Sequence, residues 1–368
     1  MIHALVEVEK NTKAVMVYPP NKNIDQPGVF IRTNGRGNAW PIPLGSLHPF
    51  YSAKNFEDLS NASYSLISSE KTEITKESIK WEIMVDGGHG AVQFLIMQQN
   101  RIPDAIFITH PHHDHTYSID WIIQSYFRAN NRKKKYPLYA SRKCFDYILI
   151  TYPHLKELIE YKELIFGKQT RIDEAPGLSA TAFPVYHGKT APGASMVIFQ
   201  FDNKTALFTG DVLCPLIRIK DYPSLQNISA VYCDANNRFP WPLTNHWSIV
   251  DFDPQTVTRS QNLKKFKNHL KLSEILESHN ANNIYFDKSI DDQFINDSLS
   301  YSMFDFLKKI NPVNVFMVHY SGREDSEQYK QEMFDAEKLV KWTSEEAEKI
   351  ELDCHFHAPS TGHIFRLI

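Results

Sequence analysis

The chain has 368 residues, 42% of them hydrophobic, with a formal net charge of −3 and a pI near 6.6. That supports one large or two ordinary domains with a real core, and the near-neutral balance excludes a global pull toward nucleic acid or anionic membrane. Four cysteines, Cys144, Cys214, Cys233 and Cys354, lack C-x-x-C spacing and read as reduced core thiols, not a disulfide frame or zinc ribbon.

Met1 to Lys10 alternates apolar and acidic residues, so no signal peptide is expected there. No apolar run approaches the roughly 20 residues that span a bilayer. A cytoplasmic protein without a membrane segment is the expectation. In residues 1 to 80, short strand-like runs (Ile2-Val8, Ala14-Tyr18, Val29-Arg32, Tyr64-Ser68) alternate with Pro- and Gly-bearing loops. Gly35-Arg36-Gly37 lacks the following helix of a nucleotide fingerprint. Trp81 to Gly90 reads as a strand ending on Asp86 and a glycine turn, where Asp86 serves either as a turn former or as a carboxylate orienting a neighbouring loop.

Asp104 to Thr109 is a short apolar strand, and the loop leaving it is His110-Pro111-His112-His113-Asp114-His115. Four imidazoles and a carboxylate in six positions suit Zn²⁺, Fe or Mn²⁺. A helix is predicted from Ile119 to Phe127. Arg128, Arg132, Lys133, Lys134 and Lys135 then form a basic cluster that is either a solvated loop or a patch for an anionic substrate. Helices are predicted over Cys144-Thr151 and Leu155-Leu164. The strand Leu178-Tyr186 delivers His187, and Ser195-Phe201 with Lys204-Phe208 form a hairpin turning at Asp202-Asn203 and running into Gly210-Asp211.

The strand Ile228-Tyr232 leads to Cys233-Asp234, and a Pro/Trp-rich loop leads to His246. Residues 251 to 297 carry mixed charge without an active-site pattern. A helix over Ser298-Ile310 precedes the apolar strand Val313-Val318, which ends on His319-Tyr320-Ser321. A charged helix from Glu324 to Trp342 and a terminal strand pair complete the chain, and no internal repeat is present. Three strands thus end on His187, Asp211 and His319. With His110, His112, Asp114 and His115 they make seven potential ligands, enough for two adjacent metals if one carboxylate bridges them.

The segment order resembles the metallo-β-lactamase fold superfamily: His-x-His-x-Asp-His after a strand, a distant His, a Gly-Asp pair and a last His at a strand end. Ala206-Leu207-Phe208-Thr209-Gly210-Asp211 and Val315-Phe316-Met317-Val318-His319-Tyr320-Ser321 resemble its ribonuclease Z-like phosphodiesterase branch. Cys233-Asp234 stands where that branch has His-Glu, and Thr116-Tyr117-Ser118 replaces its usual glycine. The resemblance implies an α/β (α+β) four-layer αβ/βα sandwich, one domain over residues 1-368 with insertions at about 122-175 and 251-297.

The resemblance also implies a dinuclear hydrolase using a metal-bridging water as nucleophile on a phosphodiester. One ion would be held by His110, His112 and His187, the other by Asp114, His115 and His319, with Asp211 between them. The cofactors implied are two divalent ions, zinc first, with Mn or Fe admitted by the same donors. Asp114, His246 and Asp234 are the candidate catalytic residues: His246 would protonate the leaving oxygen or bind the phosphate, with Asp234 orienting it. The alternative for His246 is a loop histidine packed by Trp241 and Trp247. His113 is expected to point away from the ligands, and His363 to be structural. A small anionic or phosphodiester substrate is favoured over nucleic acid, and a homodimer is left open. Two other readings stay open: a carboxylic ester, lactone or thioester hydrolase on the same metals, and a non-enzymatic metabolite-binding relative of the PqqB type.

Overall fold

The computed structural model describes residues 27–38, 60–239, 245–251, 302–320 and 336–368. Two sheets carry the architecture. The first is assembled from β1 (Gly28–Gly35), β2 (Ser63–Ser69), β3 (Ile79–Gly87), β4 (Ala105–Phe107), β5 (Tyr136–Ala140), β6 (Ile159–Glu163) and, from the far end of the chain, β15 (Ile364–Arg366). Its order is β15-β1-β2-β3-β4-β5-β6, antiparallel as far as β3 and parallel from there. The second sheet runs β11 (Cys214–Pro215), β8 (Leu178–Tyr186), β9 (Ser195–Phe201), β10 (Lys204–Phe208), β12 (Ala230–Asp234), β13 (Asn314–Val318), β14 (His355–His357), with β7 (Gln169–Arg171) paired to β8.

The sheets face each other across an apolar layer. Leu66, Ile83, Val85 and Phe107 of the first meet Ala182, Val197, Phe199 and Phe208 of the second, all fully buried. Phe208, Tyr232 and Phe316 stack side by side across three neighbouring strands, with ring centroids 5.0 and 4.7 Å apart. Truncating such a ring to alanine costs about 3–5 kcal/mol.

Helices cover both outer faces. On the first sheet lie α1 (Ala91–Met97), α2 (His113–Thr116), α3 (Ile119–Ala129) and α4 (Arg142–Thr151). Ile119, Ile122 and Ile123 point inward from α3 at the three- and four-residue spacing of one helix face. Met303, Phe306 and Leu307 of α5 (Met303–Ile310) and Leu339 and Ala347 of α6 (Ala336–Glu348) pack against Leu207, Val231 and Met317 of the second sheet. The result is the expected four-layer αβ/βα sandwich. No helix among the described residues is long and apolar enough to cross a membrane.

Several expectations change. Leu155-Leu164 is not a helix: Pro153–Leu158 is a 3-10 turn and Ile159–Glu163 is β6. Tyr161 of β6 stacks on Phe145 of α4 at 3.9 Å. Glu160, Lys162 and Glu163 make β6 a charged edge strand, which discourages pairing with another chain. The terminal strands do not pair with each other, since β14 joins β13 and β15 joins β1. Residues 122–175, read above as an insertion, supply most of α3 and all of α4, β5, β6 and β7. Apart from Asp251, the 251–297 segment lies outside the described residues, as do the runs expected at 2–8 and 14–18 and the helix expected from residue 324 up to 335. α6 continues past Trp342 to Glu348.

Candidate metal centre

Strand direction brings the candidate residues to one rim. β10, β12 and β13 are parallel, and two antiparallel steps through β9 turn β8 the same way. Their C-terminal ends therefore release Asp211, Asp234, His319 and His187 at one edge of the second sheet. β3 and β4 are likewise parallel, and their ends release Asp86 and the His110–His115 loop. Cross-sheet bonds bring the two rims together: Ser195 N–H donates to Thr109 O at 2.9 Å, and His319 N–H donates to Arg36 O at 2.7 Å.

All seven side chains picked out in the sequence meet here. His110, His112, His187 and Asp211 each present a donor atom within 4.8 Å of the others, and so do Asp114, His115, Asp211 and His319. Asp211 belongs to both groups. Its Oδ2 lies 3.6, 3.3 and 3.3 Å from Nε2 of His110, His187 and His319, and its Oδ1 is 3.2 Å from Nε2 of His115. Asp114 Oδ2 is 3.1 Å from His319 Nε2.

The outer ring nitrogens of His110, His115 and His187 are braced from outside, while that of His319 lies 3.8 Å from Asp234 Oδ1 without a hydrogen bond. Asp86 takes the Thr109 N–H and hydroxyl at 2.8 Å each and meets His115 Nδ1 at 2.8 Å. Thr109 Oγ1 lies 3.2 Å from His110 Nδ1, and the Asn245 carbonyl 2.8 Å from His187 Nδ1. Asp86 therefore serves as the orienting carboxylate while sitting at a turn, with φ 55°. Thr109 and Asn245 were not singled out in the sequence, because a lone hydroxyl and a backbone carbonyl leave no motif.

His246 lies beside the centre. Its Nδ1 is 2.7 Å from Asp234 Oδ2, its Nε2 3.9 Å from Asp211 Oδ2, and its ring packs 5.1 Å from that of His319. Asp234 also accepts the Val212 and Asn236 N–H groups at 3.0 and 3.1 Å. The Trp247 indole N–H donates to the Asp234 carbonyl at 2.8 Å. Trp241 lies outside the described residues. His113 is exposed, its ring 6.3 Å from that of Tyr152. His363 sits just before β15, its ring 5.9 Å from that of Phe316.

The basic cluster is not part of this site. Lys133 to Lys135 precede β5, which runs parallel to β4, so they lie at the end of the sheet opposite the His110 loop. They are exposed, and Lys135 pairs with Glu157 at 3.7 Å.

The electrostatics suit cation binding. Asp86, Asp114, Asp211 and Asp234 are at most 7% exposed, and so many buried carboxylates require compensating positive charge. Burial pushes His110, His112 and His187 below the ordinary imidazole range, toward the neutral form that ligates a metal. His115 goes the other way: burial opposes its charging, but Asp211, Asp86 and Asp114 outweigh it. Burial also opposes ionisation of Asp211 and Asp114, yet the surrounding imidazoles hold Asp211 well below the carboxylate range and Asp114 at about 2. Nε2 of His110 and of His115 and Oδ1 of Asp211 are buried without hydrogen-bond partners. Orphaned donor atoms of this kind, facing one point, are what a metal would satisfy.

The model of the metallo-beta-lactamase superfamily matches residues 82–265, half of the chain. The chain belongs to the metallo-β-lactamase superfamily. No curated protein matches it in sequence. Among solved structures it is similar to the metallo-β-lactamase fold protein YhfI from Bacillus subtilis, with a TM-score of 0.53 and 12% identity over 93% of this chain and 100% of that one. It is also similar to a diphosphatase of the PhnP family (TM-score 0.57, 13% identity, 92% of this chain and 97% of that one). A long-form RNase Z from yeast is a third (TM-score 0.52, 12% identity), covering 94% of this chain but only 42% of that one. These likenesses show the metallo-β-lactamase fold, and the two donor groups sharing Asp211 are compatible with a dinuclear metal site within it.

Proposed function

We propose that this metallo-β-lactamase superfamily member is a dinuclear metal-dependent hydrolase of phosphodiesters. The observation that carries the reading is Asp211 shared between two four-residue donor groups, with the His246–Asp234 pair at their edge. His110, His112 and His187 would hold one ion, Asp114, His115 and His319 the other, and Asp211 both. Bound there, two divalent ions supply an activated water and neutralise charge that develops on the attacked group.

The chain's own residues do the rest. Asp234 fixes Nδ1 of His246, which turns Nε2 toward Asp211 and places a proton where a leaving oxygen can take it. Asp86 and Thr109 hold His115 and His110 in place before substrate arrives. The fold is shared with a diphosphatase and an RNase Z, so phosphoester chemistry is within its range. Small phosphodiesters are favoured over nucleic acid because the basic cluster lies at the opposite end of the sheet.

Hydrolysis of bis-(p-nitrophenyl) phosphate by the purified chain, abolished in His112→Ala, is the expected result. A panel adding lactones and thioesters separates the rivals. Faster turnover of the carbonyl substrates would replace this reading with the carboxylic one, and bound metal without turnover of any of them would leave a binding protein.

A further inference from the structure

The imidazoles around Asp211 are not braced alike. In His110, His115, His187 and His246 it is Nδ1 that meets an outer oxygen, from Thr109, Asp86, Asn245 and Asp234 respectively. His112 is reversed, with its Nε2 3.0 Å from Oγ1 of Thr190. A ligating imidazole carries its proton on the nitrogen that does not ligate, and the oxygen accepting that proton fixes both tautomer and ring orientation. This contact is also the one exposed contact of the five, the others being buried or part-buried, and Thr190 stands on the turn that follows His187.

That turn is held at both ends. Gly188 has φ 87°, and a Cβ there would run into the side-chain amide of Asn245, so only glycine fits. At the other end Ser141 Oγ, which also caps α4, donates to Gly193 O at 2.6 Å. Between these anchors the turn sets Thr190 Oγ1 against Nε2 of His112.

We propose that Thr190 is a positioning residue whose hydroxyl accepts the His112 Nε2 proton and so presents Nδ1 of His112 to the centre. The inference rests on the metal-binding reading above. It makes the two metal positions unequal: His115 leans on a buried carboxylate, His112 on an exposed neutral hydroxyl. The position built on His110, His112 and His187 is therefore the one that Thr190 controls.

The test is titration of Co²⁺ into the metal-stripped full chain, followed by visible absorption and calorimetry. The wild type should take up two equivalents. Thr190→Val, which keeps the shape and removes the acceptor, should weaken one of them by about 10–100-fold and leave the other unchanged. Thr190→Ser should restore the weakened equivalent to within about threefold, a rescue that a merely structural role would not require. In a His112→Ala background Thr190→Val should add nothing. Thr190→Val that binds both equivalents like wild type, weakens both alike, or is not rescued by serine overturns the assignment. A wild-type chain that takes up less than one equivalent overturns the metal reading itself, and the inference with it.

Discussion

Oδ2 of Asp86 lies 2.8 Å from Nδ1 of His115 and an equal 2.8 Å from the hydroxyl of Thr109, while Oδ1 takes the Thr109 N–H. One buried carboxylate at the end of β3 thus fixes both the start of the His loop and one of its rings. Asp86→Ala leaves a buried N–H and an imidazole without an acceptor, which should cost about 2–4 kcal/mol. Urea unfolding and metal analysis check it together: stability should fall by that amount, and metal content should fall with it.

Gly88 follows Asp86 by two residues, and a Cβ there would collide with the Asp114 carbonyl and the Asn61 side chain. Ser118 pins the same contact from the other side, donating its hydroxyl to Gly88 O at 2.6 Å. Gly88→Ala should therefore move the Asp114–Ser118 segment, costing about 1–3 kcal/mol. Metal content of the folded variant is the second readout, and a variant with wild-type stability and metal would contradict the close packing.

His246 has its pKa raised to about 9, burial opposing its charging and Asp234 outweighing that. If it serves as proton donor, its loss should depend on the leaving group. His246→Ala should slow hydrolysis of an alkyl phosphodiester by about 10²–10⁴-fold, whereas p-nitrophenolate leaves without a proton and should be slowed far less. Equal losses on both substrates would assign His246 to binding instead.

The strands and the donors were readable because each is local: an apolar run ends in a His or an Asp, and the run itself names its terminus. The direction of those strands was not, and it decides which ligands share a rim and which do not. In sequence Lys133–Lys135 admit either a solvated loop or a substrate patch; they precede a strand parallel to β4, which puts them at the far end. Leu155-Leu164 has helical spacing, yet Pro153 opens a 3-10 turn and the following residues add an edge strand beside β5. The braces Thr109, Thr190 and Asn245 were invisible, since two are ordinary hydroxyls and the third acts through its backbone.

Away from the centre, His357 and His363 flank the Phe316 ring, and burial chiefly pushes the pKa of each down to about 4. The unfolded chain, with an imidazole pKa of about 6.5, binds these protons first. Their stabilising contribution is therefore complete above pH 6.5 and lost as the pH falls toward 4, by roughly 1–2 kcal/mol each given their partial exposure. The stability difference between wild type and His363→Gln should shrink from pH 7 to pH 5 in urea melts. A difference independent of pH would contradict the burial argument.

The central claim is that Asp211 serves two metal positions at once. Metal analysis of the purified chain beside Asp211→Asn, which keeps the shape but not the charge, tests it most directly. Two equivalents in the wild type and loss at both positions in the variant are predicted. Retention of both equivalents by Asp211→Asn, or less than one equivalent in the wild type, would contradict the account.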